Sequence, residues 1–155
     1  VVAGLQALFN QDNGTGRVIN MGMGGLLDAA AHVADWMVKI PNEISGQITL
    51  GIPGSPAGGG SDNASFACAG APAFGLGALG WNYGTVTWHT NRDTYDKVVF
   101  DDLRNNATLT AMLAYLAAED DAKISRERRI LPAGRGGGPG QWPACQDGAR
   151  RAPGN

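Results

Sequence analysis

Two stretches of this chain space their apolar residues by three and four, and the short apolar runs between them do not. That change of period most limits the folds open to it. Over residues 26–40, Leu26, Ala30, Val33, Ala34, Met37 and Ile40 fall on one side of a helix that Pro41 helps close. Over residues 101–119, Leu103, Ala107, Thr110, Ala111, Ala114 and Ala117 form a stripe that Leu109, Met112, Leu113 and Leu116 widen, which predicts a long and largely buried helix. Residues 5–9, 47–52 and 71–76 read as strands, and 85–88 alternate polar and apolar in strand fashion. Ser61 is a good N-cap for a short helix to residue 69. Strands alternating with helices imply an α/β fold, here expected as a three-layer sandwich with a mixed sheet flanked by helices.

Loops are abundant, because Gly and Pro together fill 32 of 155 positions. They are also unevenly placed. Residues 1–121 hold five basic and twelve acidic residues, a net of −7, while residues 122–155 hold seven basic and two acidic, a net of +5. The second part also has seven Gly and four Pro, with the run Gly136-Gly137-Gly138-Pro139-Gly140, and such a composition buries too little apolar surface to offset the entropy of ordering it. We therefore divide the chain into a body, 1–121, and a largely disordered tail, 122–155, with disorder expected from about Ala133 on. The tail arginines lack interleaved aromatics beyond Trp142, so a solvated tail is expected and no nucleic-acid partner. No apolar run reaches the ~18 residues of a bilayer span, so no membrane partner is expected either. Compartment stays open.

Several chemistries are excluded by pattern. Gly22-Met23-Gly24-Gly25-Leu26-Leu27 has Leu where a dinucleotide loop needs Gly or Ala for close helix–strand packing. Gly58-Gly59-Gly60-Ser61 lacks the lysine of a phosphate cradle. Gly59-Gly60-Ser61-Asp62-Asn63 ends in Asn where a serine nucleophile's turn needs Gly. Cys68 and Cys145 form no Cys-x-x-Cys pair and stand near no histidine, which removes zinc fingers and thioredoxin-type sites and leaves their pairing open. Metal chemistry remains. Of the two histidines, His32 lies inside the helix pattern and reads as a half-exposed structural residue, whereas His89 sits in a polar loop with Asp93 four positions on as an orienting carboxylate.

The segments Asn10-Gln11-Asp12, Gly60-Ser61-Asp62-Asn63-Ala64-Ser65-Phe66, Ala69-Gly70-Ala71-Pro72-Ala73-Phe74 and Trp88-His89-Thr90-Asn91-Arg92-Asp93-Thr94, followed by a closing helix, stand in a telling order. Over roughly residues 8–120 they resemble the carboxy-terminal half of the two-zinc exopeptidases, the family of secreted bacterial aminopeptidases and glutamate carboxypeptidases. The resemblance implies that Asp12 ligates one zinc and His89 the other. It implies that the bridging carboxylate, the general base and the other ligands lie upstream, so no catalytic base is expected on this chain. Asp62, Asp93 and Trp88 fall at supporting or pocket positions; Trp88 stands where many relatives have a tyrosine that steadies the oxyanion.

The resemblance as a whole implies a zinc-dependent aminopeptidase fragment, truncated on its N-terminal side, that binds two zinc ions and a peptide in the intact parent and is inactive alone. A fragment of that kind leaves apolar surface uncovered and is expected to self-associate. Each residue also has a plainer reading: Asp12-Asn13-Gly14 is a good turn, and Ser61 and Asp62 are good helix caps. The alternative function is a non-catalytic binding or scaffold module that keeps the fold without metal.

Overall fold

A computed structural model describes residues 2–133 and 138–146. Four short strands, β1 (Leu8–Asn10), β2 (Val18–Gly22), β3 (Thr49–Gly51) and β4 (Ala73–Ala78), form one sheet in the order β1-β4-β2-β3. β1 runs parallel to β4 and β3 parallel to β2, while β2 and β4 are antiparallel, so the sheet is mixed. Around it lie helices α1 (Ala29–Met37), α2 (Asn42–Ser45), α3 (Asn63–Cys68) and α4 (Phe100–Ala118). The expected α/β class is present as a four-stranded mixed sheet packed against helices.

Side chains alternate across a strand, and β4 divides its residues accordingly. Phe74 and Leu76 enter the main core with Val33 and Trp36 of α1 and Leu109 and Leu113 of α4. Gly75 is turned the other way, where an added Cβ would lie 3.5 Å from Asn63 Nδ2 at the start of α3. Burying Phe74 and Trp36, at 0% and 1% exposure, is worth roughly 1.5–3 kcal/mol per large apolar side chain. The core is thereby concentrated on one sheet face, and the other is left to α3 and the loops.

α4 departs from the expected stripe. Its buried positions are Asp102, Asn106, Leu109, Leu113 and Ala117, while Leu103 is 41% exposed. The first turns face inward with polar residues because those residues have backbone to satisfy. Asn106 Nδ2 donates to Gly16 O at 2.8 Å and Asn106 Oδ1 accepts from Val18 N at 2.9 Å. Asp102 accepts from Arg17 N and Arg17 Nε, each at 3.0 Å, and from Trp81 Nε1 at 2.8 Å. The expected Leu109, Leu113 and Ala117 are thus buried, and only the first turns differ, where Asp102 and Asn106 face inward in place of Leu103 and Ala107.

Two other local expectations need correcting. Residues 85–88 are not a strand: Tyr83–Thr87 form one π-helical turn, with Val86 N and Thr87 N both donating to Asn82 O. Trp81 and Asn82 enter that turn at φ 34° and 63°, a left-handed geometry that diverts the chain before any extended pairing can begin. The strand β2, which no alternation announced, fills the sheet instead, burying Val18 and Met21. Ser61 does not cap α3 with its side chain; Asp62 holds the cap position and Ser61 Oγ accepts from Asn10 Nδ2.

Past α4 the chain returns across the body. Arg128 pairs with Leu26 in a lone antiparallel bridge, and Ile124 is buried in the core. Arg126 donates to the carbonyls of Gly70, Val2 and Leu5. The ring of Trp142 lies 4.7 Å under the Arg128 guanidinium and donates to Arg129 O at 3.0 Å. Cys145 is joined to Cys68 by a disulfide. These contacts explain why 122–133 and 138–146 are held even though they carry no further helix: arginines and a tryptophan supply what the missing apolar stripe does not. The rest of the expected disordered tail, 134–137 and 147–155, lies outside the described residues.

Candidate functional site

Asp12 stands two residues past β1 in a turn that is pinned from three sides. Asn13 Nδ2 donates to Leu76 O at 2.8 Å, Gln11 Nε2 to Gly14 O at 3.3 Å, and Val99 N to Thr15 Oγ1 at 3.0 Å. Asn106 and Asp102 of α4 hold the next three residues. Two glycines make the turn possible: Gly14 has φ +85°, and a Cβ at Gly16 would meet Leu79 O at 1.9 Å. The carboxylate of Asp12, carried on this fixed turn, is exposed.

It borders a cavity of about 390 Å³ in which Asn10, Asn20 and Asn63, with Ser55 and Ser61, supply neutral polar groups beside Ala57, Ala73 and Leu76. Gly22, Gly75 and Gly77 line it as well and keep it open over the sheet; a Cβ at Gly77 would fall 2.3 Å from Asn20 Oδ1. Asn13 is in the same wall, and its Oδ1 is a buried acceptor without a partner among the described residues. Such an atom costs ~1–3 kcal/mol, and Asp28 Oδ1 and Asn105 Nδ2, which do not line this cavity, are unpartnered in the same way.

His89 does not line that cavity. It is exposed at φ 55°, its ring 4.5 Å from the ring of Trp88, which is 53% exposed. Thr90 Oγ1 turns back to Val86 O at 2.8 Å and fixes the loop just after it. Asp93 makes no hydrogen bond to His89 among the described residues; it lines a second cavity, about 270 Å³, with Trp81, Tyr83, Thr15 and Lys97. Asp62 is exposed beside Ser61 and Asn63. Thus the expected site residues distribute over adjoining features: Asp12 and Asp62 at or beside the first cavity, Asp93 at the second, and His89 with Trp88 as a stacked exposed pair. The same turn reaches both cavities, since Asn13 borders one and Gly14 the other.

Carboxylate and imidazole are suitable donors for zinc, but about three protein ligands are needed for each ion. Among the described residues, no group of three or more His, Cys, Asp or Glu is arranged to hold a metal ion. Asp12 and His89 belong to no such group, and they do not line one cavity.

Electrostatics elsewhere is local and structural. Burial opposes ionisation of Asp102, yet the hydrogen bonds from Trp81 and Arg17 and the Arg17 charge outweigh it, leaving the carboxyl below its ordinary value. His32, on α1, gives Nδ1 to Asp120 Oδ2 at 2.8 Å, which with Ala122 N and Trp36 Nε1 holds the Asp120 carboxyl low against its own burial. This histidine ties α1 to the segment after α4, in keeping with a structural role. Sequence reasoning missed Asn10, Asn20, Asp102 and Asn106. The only signal for the last two was polar residues spaced by four at the start of a helix.

No family model, no curated protein and no solved structure matches this chain.

Proposed function

We propose that this chain is the substrate-binding part of a zinc-dependent exopeptidase of aminopeptidase type, acting on peptides, with its sheet as the middle of three layers. The observation that supports this most is the rigidly held turn that sets one exposed carboxylate, Asp12, at the edge of a residue-sized cavity lined by amides and hydroxyls. A cavity of that size is within the range that small ligands or single side chains occupy. Asp12 and His89 each offer one zinc ligand, and the remaining ligands and the general base come from outside this sequence. In such an enzyme zinc supplies an activated water and polarises the scissile carbonyl.

This chain's own residues would do the rest of the binding. Asn10, Asn20 and Asn63 line the space that a bound residue enters, Asn10 Nδ2 being held on Ser61 Oγ, and the glycine floor admits backbone close to the sheet. Asp62 is a solvent-side neighbour of that wall, and Trp88 offers an indole N–H next to His89. The 155-residue chain alone is expected to be without peptidase activity.

The test is metal content and aminoacyl-nitroanilide hydrolysis of the whole protein that contains this sequence. Two zinc ions per chain are expected, with at least one lost, and hydrolysis down by ~10³-fold or more, in Asp12→Asn and in His89→Gln. A whole protein that folds, binds no zinc and hydrolyses nothing is a binding or scaffold module, and the peptidase reading then fails.

A further inference from the structure

We infer that the second cavity, between Trp81, Tyr83 and Asp93, is a binding site for an organic ammonium ion. The inference does not depend on the peptidase reading, since it uses neither Asp12 nor His89.

Both rings are fixed before any ligand arrives. Trp81 is anchored through its indole N–H on Asp102 at 2.8 Å, and its Cδ1 would lie 2.6 Å from a Cβ at Gly16. Tyr83 lies across Gly14, its Cδ2 and Cγ within 2.9 and 3.0 Å of where a Cβ would be. Two glycines two residues apart thus accept two rings two residues apart, and larger residues at either glycine would expel the ring. The backbone that delivers the rings is strained: Trp81 and Asn82 have φ of 34° and 63°, and Tyr83–Thr87 form a π-helical turn. A bulky residue in the left-handed region is a conformation the fold must maintain, and π turns concentrate at functional sites.

The charges lining this cavity select the ligand. Asp93, exposed and in the cavity lining, supplies a carboxylate that has no hydrogen bond or ion pair to a side chain or backbone group among the described residues. Lys97 is the other charged residue in the wall, but its ammonium is paired with Asp96. What remains is one negative charge beside two aromatic side chains, a lining that favours a cation carrying apolar substituents. Thr15 adds a hydroxyl whose Oγ1 already accepts from Val99 N. At about 270 Å³ the cavity accommodates an alkylammonium, either a small free amine or the end of a lysine side chain.

The experiment follows the Trp81 indole N–H by ¹⁵N NMR while n-butylammonium chloride, Nα-acetyl-lysine amide or n-butanol is added at constant ionic strength. Saturable shifts of that resonance are expected with the two cations, at least tenfold weaker with the alcohol. The tighter of the two cations identifies the source, and either order supports the site. Asp93→Asn, an exposed change with no structural partner to lose, should weaken cation binding about tenfold at unchanged melting temperature. Tyr83→Leu should weaken it while leaving n-butanol affinity unchanged. Equal affinity for butanol and butylammonium, no saturable shift, or full binding in Asp93→Asn would each overturn the proposal.

Discussion

Asn106→Ala should be among the most damaging single substitutions in this protein, although it removes a polar side chain. Asn106 is 2% exposed and uses both ends of its amide, one on Gly16 O and one on Val18 N. Val18 is fully buried and Gly16 is buried too, so water cannot simply replace the lost partner. Two orphaned backbone groups at ~1–3 kcal/mol each give a loss of about 3–5 kcal/mol once partial relaxation is allowed. With a urea m-value of about 1.5 kcal/mol/M, the midpoint should fall by roughly 2–3 M at unchanged m. Arg104→Ala is the control on the same helix: its guanidinium, 77% exposed, meets Asp101 at 3.3 Å, and loss of that surface pair should cost under ~0.5 kcal/mol. Asn106→Asp should be at least as damaging as Asn106→Ala, because it keeps an acceptor for Val18 N but sets a buried carboxylate oxygen against Gly16 O. Amide exchange supplies a local reading, with Val18 N–H losing protection in Asn106→Ala before the centre of α4 does. A midpoint for Asn106→Ala equal to that of Arg104→Ala would refute the claim that α4 holds the Asp12 turn.

Acid should weaken the fold by way of Asp102 and Asp120, whose carboxyls both lie below the ordinary 3.8. The native state then binds fewer protons than the unfolded state, so their contribution is complete above the unfolded value and is lost as pH drops through it towards the folded values. Urea midpoints should hold from neutrality to about pH 5 and decline below, less steeply in Asp102→Asn and Asp120→Asn, and a profile of equal slope in both variants would count against this. Reducing the Cys68–Cys145 disulfide frees a loop with a sequence separation of 77, for which chain entropy gives up to ~4.5 kcal/mol. Dithiothreitol should therefore lower the urea midpoint, as should Cys68→Ser paired with Cys145→Ser; an unchanged midpoint in both would show that residues 138–146 contribute no constraint.

How far the sequence carried the fold depended on which forces a residue answers to. α1 and α4 were legible because a 3.6-residue period is a local property, and residues 29–37 and 100–118 express it. The inward residues of α4's first turns were not, because Asp102 and Asn106 turn inward to serve backbone some 85–90 positions earlier. β2 escaped notice since its burial pattern follows a bulge against β4 and not strict alternation, whereas 85–88 alternate well and still curl into a π turn. In the same way Asp12 could be singled out as a turn carboxylate, but not its neighbours. Asn10, Asn20 and Asn63 come from β1, β2 and α3, and they face one cavity because β4 is inserted between β1 and β2 with Gly75 and Gly77 beneath. A site assembled that way is a property of strand order. Changes to the glycines of β4 should therefore disturb binding at this cavity more than changes to Phe74, which faces the core, does not line the cavity and acts on stability.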